Sequence, residues 1–188
     1  SYVDKSKLIQ HYYDIDRNNK FSLLVHVIKA NLKGLVIVFC GTRHTVNLIN
    51  KNLNRQNIKS EALHGGITQS RRNQIMEAFR DGKLDVLVAS DVAARGLDIK
   101  KLNLIVNYNI PKTSREYVHR IGRTARAGEE GKVVSLLSQE DYDNFGRVIE
   151  DKFLLIHEMK TPYFEHMEFI RPMHNRSFHR RFQKHRNR

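Results

Sequence analysis

Two periods of apolar and polar residues alternate along this chain. Runs rich in apolar and β-branched residues stand at "QHYYDI" (10–15), "LVIVF" (35–39), "IKSEAL" (58–63), "DVLVAS" (85–90), "LNLIVN" (102–107) and "KVVSLL" (132–137), and each predicts a strand. The run 35–39 has no polar position, as expected of a parallel strand covered on both faces. Between the runs lie segments of helical period. "KFSLLVHVIKANL" (20–32) repeats apolar residues at Phe21, Leu24, Val25 and Ile28, with Gly34 as its stop. Thr42 can cap a helix to about Gln56, and Thr68 or Ser70 one through Phe79 that Gly82 ends. Two more helices are predicted at about 114–121 and at 139–150, the second capped by Ser138. Strands separated by helices mean βαβ units with right-handed crossovers. The predicted fold is therefore α/β, a mostly parallel sheet flanked by helices.

Ligands of such sheets gather at the carboxyl ends of the strands. The loops after 35–39, 58–63 and 85–90 read "CGTR", "HGG" and "SDVAARGLD", so all three are expected on one rim. Beyond residue 160 the pattern lapses. "TPYFEHMEFIRP" reads as a docking segment and the rest as a solvated tail, which divides the chain into a domain at 1–160 and an extension at 161–188.

Composition narrows the class. The 188 residues suit one domain with a tail, and 40% hydrophobic residues are enough for a core. No apolar run approaches the ~18 residues of a membrane span, and "SYVDKSKLIQ" lacks the apolar stretch of a signal peptide. Cys40 is the only cysteine, so neither an intrachain disulfide nor a cysteine metal cage is available. A cytoplasmic protein with no membrane role is expected. The net charge of +13 points to a polyanion, although a soluble basic protein would carry the same excess. Seven of those charges lie in the acid-free stretch 171–188, where Phe178 and Phe182 interleave with them and can stack on bases.

The chain has no phosphate loop (G-x-x-x-x-G-K-[ST]), no G-x-G-x-x-G and no H-E-x-x-H. Taken singly, the rim loops are weak signals: "HGG" is also a turn, and "QSRR" is also a solvated face. Gln69 and Arg72, however, stand i and i+3 at a helix start, a cradle suited to phosphate. Ser90 and Asp91, then Arg95 and Gly96, supply a hydroxyl, a guanidinium and a close backbone approach. Asp98 suits a sugar hydroxyl or a neighbouring arginine. In "HRIGRTARAG" (119–128), Arg120, Arg123 and Arg126 recur every third residue. On one helical turn they would share a face and repel one another unless an anion sat among them.

In their order and spacing, "IVFCGTR", "LHGG", "QSRRNQIMEAFRDG", "VLVASDVAARGLDI" and "HRIGRTARAG" resemble the C-terminal RecA-like domain of DEAD-box ATP-dependent RNA helicases, over about residues 8–155. His119-Arg120 favours that family over DEAH-box and chromatin-remodelling relatives, which usually have Gln there. The resemblance implies a RecA-like sheet, similar to P-loop NTPases but without a P-loop of its own. It implies ATP with Mg²⁺, both bound mainly by an N-terminal RecA-like domain of the same protein, and no metal site here. By the same resemblance Arg123 and Arg126 are arginine fingers at the γ-phosphate, and they are the catalytic candidates. Gly96, Asp98 and His119 join them around the nucleotide, with Asp98 at the ribose; His119 and Arg120 orient the loop or relay to the RNA side. Thr42, Arg43, Gly65, Gln69, Arg72, Ser90, Arg95 and Gly96 resemble contacts to the RNA backbone, so binding is expected to be independent of sequence.

Three departures stand out. Ala125 replaces a usual Gly, which would strain a left-handed position. Asn109 replaces a usual Asp, which would weaken a charged contact to the partner domain, and Gly41 stands where many members have Asn. The isolated chain is expected to be one half of a longer protein and inactive as an ATPase alone. A stand-alone RNA-binding module of helicase ancestry and a superfamily-2 DNA helicase remain as alternatives.

Overall fold

The computed structural model describes residues 8–97, 99, 102–124 and 130–173. Seven parallel strands, β1 (Leu8–Asp14), β2 (Leu35–Phe39), β3 (Ser60–Leu63), β4 (Val86–Ala89), β5 (Leu102–Asn107), β6 (Gly131–Leu137) and β7 (His157–Glu158), form one sheet in the order β3-β4-β2-β5-β6-β1-β7. Helices α1 (Lys20–Lys29), α2 (Arg43–Arg55), α3 (Gln69–Arg80), α4 (Asp91–Ala94), α5 (Ser114–Ile121) and α6 (Tyr142–Ile149) connect them.

Successive side chains of the strands feed opposite faces. Ile37, Phe39, Leu87, Ala89 and Ile105 join Ile75, Phe79, Tyr117, Ile121 and Val148 in one buried cluster, under α3, α5 and α6. Val36, Val38, Val86, Val88, Leu104 and Val106 join Phe21, Leu24, Ile28, Val46, Ile49 and Leu53 in the other, under α1 and α2. Because β2, β4 and β5 are covered on both sides, their sequences read as unbroken apolar runs.

Most predicted elements are present. β2 and β5 have the predicted bounds, and Thr42 and Thr68 cap α2 and α3 by accepting from the backbone N–H of Thr45 and Arg71. Gly82 follows α3 at φ +70°, in the left-handed region. α1 stops at Lys29, earlier than predicted, and a short 3₁₀ turn at Arg17–Asn19 precedes it. The segment predicted as one helix at 139–150 divides into a 3₁₀ turn at Gln139–Asp141 and α6. Ser138 forms a capping box with Asp141. α4 and β7 were not predicted; each is too short to carry a period.

Two features of the packing position the site. Lys20, at the start of α1, is buried with its Nζ 2.7 Å from Asp141. The other oxygen of Asp141 accepts from the backbone N–H of Ile110, so this buried charge is paired and fixes the loop after β5. Residues 161–173 run over α1 and α2. Phe164, Met167 and Phe169 pack against the second cluster, and the rings of Phe169 and Phe21 lie 5.0 Å apart. The backbone N–H of Met167 donates to Ser22 Oγ at 2.9 Å, and that of Ile170 to Asn52 Oδ1 at 2.9 Å. The docking segment expected from the sequence is thus seated on the domain. Among the described residues, no helix is long and apolar enough to cross a membrane.

Candidate functional site

The order β3-β4-β2 makes neighbours of the three strands whose following loops carry the motif residues. Thr42 and Arg43 open α2, Gly65 follows β3, Gln69 and Arg72 lie in the first turn of α3, and Ser90, Arg95 and Gly96 flank α4. The expected single rim is therefore present.

Within it, Arg43 lies along the "HGG" loop. A Cβ at Gly65 would come within 2.9 Å of Arg43 Nη2, and one at Gly66 within 3.5 Å of Nη1. Glycine at 65 lets the guanidinium lie against the backbone. His64 braces the same loop: its Nδ1 accepts from Gly66 N–H at 3.0 Å, so its proton sits on Nε2, 3.1 Å from Asn47 Oδ1. At α3, Gln69 Nε2 donates to Asn73 Oδ1 and Arg71 pairs with Glu61 at 2.8 Å. Among the described residues, Arg43, Arg72 and Arg95 make no ion pair. Ser90 caps α4 without a side-chain cap bond. Gly96 adopts φ +74°, and among the described residues nothing lies within 4 Å of the position a Cβ would take. Another backbone or phosphate can therefore approach it closely.

The arginine repeat is not one face of one helix. α5 ends at Ile121, with Gly122 as its cap. Arg120 turns inward and is 3% exposed. It forms a two-bond fork to Asp91, gives Nη1 to Asn107 Oδ1 and to the carbonyl of Asn109, and stacks 5.0 Å above the Phe39 ring. Its anion is in this chain, and Arg123 lies beyond the end of α5, so Arg120 and Arg123 do not share the one helical face that the spacing suggested. The role of orienting the loop fits this geometry, because Arg120 ties α5 to α4, β5 and the loop after β5. Arg123, half-buried, holds Leu97 O through Nη1 at 3.1 Å, one residue beyond Gly96. Arg95, His119 and Arg123 line a small cleft of about 20 Å³ with Asp91, Glu116 and Arg120. Arg126 and Asp98, and with them Ala125, lie outside the described residues.

Two departures from the family pattern touch each other. Gly41 N–H donates to Asn109 Oδ1 at 2.8 Å, joining the loops after β2 and β5. The amide oxygen of Asn109 therefore has a partner within this chain, and this contact, like the Arg120 fork, was invisible in the sequence. Cys40, one residue earlier, is fully buried. Burial pushes its thiol up to about 12, against the pull of Arg120 and Lys20. A thiol so placed is inert.

Comparison with known proteins agrees with this geometry. The family model for the helicase conserved C-terminal domain matches residues 19–128. The ATP-dependent RNA helicase CshA of Listeria monocytogenes is 37% identical over 142 residues, 76% of this chain and 27% of the relative. Among solved structures, the E. coli DEAD-box protein SrmB, bound to regulator of ribonuclease activity A, superposes with a TM-score of 0.76 at 36% identity, over 82% of this chain and 91% of that one. S. cerevisiae Dbp5 bound to RNA and ADP BeF3 gives 0.74 at 28% identity, over 82% of this chain and 42% of that one. The chain spans 27% to 35% of the length of the curated helicases it matches.

Proposed function

The chain belongs to the helicase conserved C-terminal domain family in its DEAD-box form, and from that membership we propose that it is the second RecA-like half of an ATP-dependent RNA helicase. Its rim would face an N-terminal RecA-like half that holds ATP and Mg²⁺. Arg123 and Arg126 would extend fixed cations toward the γ-phosphate, with His119, Gly96 and Asp98 around the same nucleotide. A planar guanidinium keeps its charge and its fork at any working pH, which suits it to stabilise charge that develops on phosphoryl oxygens. An arginine finger contributes roughly 10³–10⁵ in rate.

Thr42, Arg43, Gly65, Gln69, Arg72, Ser90, Arg95 and Gly96 would grip sugar and phosphate, so that any RNA sequence is accepted. Closure of the two halves on a bent single strand would separate a duplex locally, and hydrolysis would release the grip. The capture of Dbp5 with RNA and ADP BeF3 supports this use of the fold.

The observation that carries the reading is the split between neighbouring arginines. Both line the same cleft, but Arg120 is 3% exposed and paired with Asp91, whereas Arg123 is half-buried and reaches Leu97 O beside Gly96. The test is RNA-stimulated ATP hydrolysis and duplex unwinding by the full-length protein, on RNA and DNA substrates. Activity on RNA that vanishes without ATP is expected. RNA binding without any hydrolysis would favour the stand-alone binding module, and a preference for DNA would overturn the substrate.

A further inference from the structure

α2 has no acidic residue. Its exposed basic side chains are not scattered. His44, Lys51 and Arg55 stand at i, i+7 and i+11, which at 3.6 residues per turn places them within about 20° of one line along the helix. The line begins beside Thr42 and Arg43 on the rim and runs about 18 Å away from it, at 1.5 Å per residue. Next to it lies a groove of about 180 Å³ whose walls are His44, Lys51 and Arg55 on one side and Ile170 and Pro172 on the other, with Leu48 between. None of the residues lining this groove is acidic, whereas the neighbouring cavity that shares His44 is lined by Glu140 and Glu168 beside Arg17, Lys20 and Arg171.

We propose that this groove is a second RNA-binding track, which takes the sugar-phosphate backbone of a single strand as it leaves the rim along α2. The proposal rests on the reading of the rim as an RNA-backbone site and extends it to residues outside the family motifs. Three observations converge on this occupant. The stripe is continuous with the rim through Asn47, which also lines the groove and whose Oδ1 lies 3.1 Å from Nε2 of His64 in the "HGG" loop. Its charge is of one sign, and the apolar floor of Leu48, Ile170 and Pro172 gives ribose and base a surface between the cations. The groove is also where the chain passes into its final stretch: Pro172 lines it, and residues 174–188 carry six Lys/Arg and no acid. A polyanion in the groove meets Lys51 and Arg55 of α2. An acidic protein would satisfy the same charges but has no reason to start at Arg43.

The test is binding of oligouridylates by the full-length protein, one short enough for the rim alone (about 6 nucleotides) and one long enough to run past it (about 20). Both positions of the double variant Lys51→Ala/Arg55→Ala are exposed on α2, so the melting temperature should be unchanged. The variant should bind the short RNA as the parent does. For the long RNA its slope of log affinity against log salt should fall by about 1.4, ~0.7 for each phosphate no longer neutralised. Arg72→Ala should instead weaken both lengths. If Arg72→Ala weakens neither while the double variant weakens the long RNA, the track stands and the rim reading fails. An unchanged slope for the long RNA, or an equal loss for both lengths, would overturn the track. Competition by polyglutamate as effective as by polyuridylate would also overturn it, in favour of an acidic protein.

Discussion

Arg120 grips Asp91 with a two-bond fork, Nε to Oδ1 at 2.6 Å and Nη2 to Oδ2 at 2.7 Å. The arginine is enclosed and the carboxylate is 32% exposed, so the pair is a strut behind the rim and not a part of its surface. Replacing Asp91 by Ala leaves a buried guanidinium unpaired. The expected loss is about 2–4 kcal/mol, below the full range for a buried pair because Asp91 is partly solvated. For a chain of this size that lowers the melting temperature by about 5–15 °C. Arg123→Ala should cost far less. Equal destabilisation by the two substitutions, measured by thermal melting, would remove the distinction drawn between these arginines.

On the rim, Arg72 has no ion pair among the described residues, whereas its neighbour Arg71 is held by Glu61. Arg72→Ala should therefore weaken RNA binding and reduce the salt slope by about 0.7. Arg71→Ala should do so much less. Because a phosphate contact carries no base information, the loss should be uniform across homopolymers. Titrations with oligoadenylate, oligocytidylate and oligouridylate check this; a loss confined to one of them would contradict backbone reading.

Phe169 lies half-buried against Phe21 at the point where the C-terminal segment crosses α1. Phe169→Ala should cost about 1.5–2.5 kcal/mol, roughly half of a fully buried Phe→Ala. Urea unfolding should show a lower midpoint with an unchanged slope. No change in midpoint would mean that residues 161–173 only rest on the domain.

Cys40, Tyr108 and Tyr117 all have their ionisation pushed up by burial, Cys40 to about 12. A group whose proton is held more tightly in the folded state contributes stability that is complete below its unfolded value. That contribution is lost as pH rises through the folded value. The chain should hold its stability to about pH 9 and lose it progressively toward pH 12. At pH 8 its thiol should react with a disulfide reagent at least roughly a thousandfold more slowly than in urea, since the thiolate is both scarce and enclosed. Rapid labelling of the native chain would refute this.

What could be read in advance was local. The apolar runs marked β2 and β5 to the residue, and Thr42 and Thr68 marked two helix starts, because each signal lies within a few residues of its effect. The rim followed from the parallel sheet alone, because loops after parallel strands leave at one edge. The misread features depend on distant partners or on where a helix stops. The arginine repeat suggested one face only if α5 continued past Ile121, and Asp91 stands 29 residues before Arg120. Gly41 and Asn109, noticed separately as departures from a pattern, are joined across 68 residues. Lys20 was an ordinary helix-start residue until Asp141, 121 residues on, was placed against it.

The most direct measurement of the whole account is ATP hydrolysis by the full-length protein carrying Arg123→Lys or Arg126→Lys, beside thermal melting of the same variants. Lysine keeps the charge and loses the fork, so RNA-stimulated hydrolysis should fall at least about a hundredfold while ATP binding persists. For Arg123→Lys, at a half-buried position, the melting temperature should stay within about 2 °C. Near-normal hydrolysis with a markedly lower melting temperature would contradict the account and return both arginines, like Arg120, to a structural role.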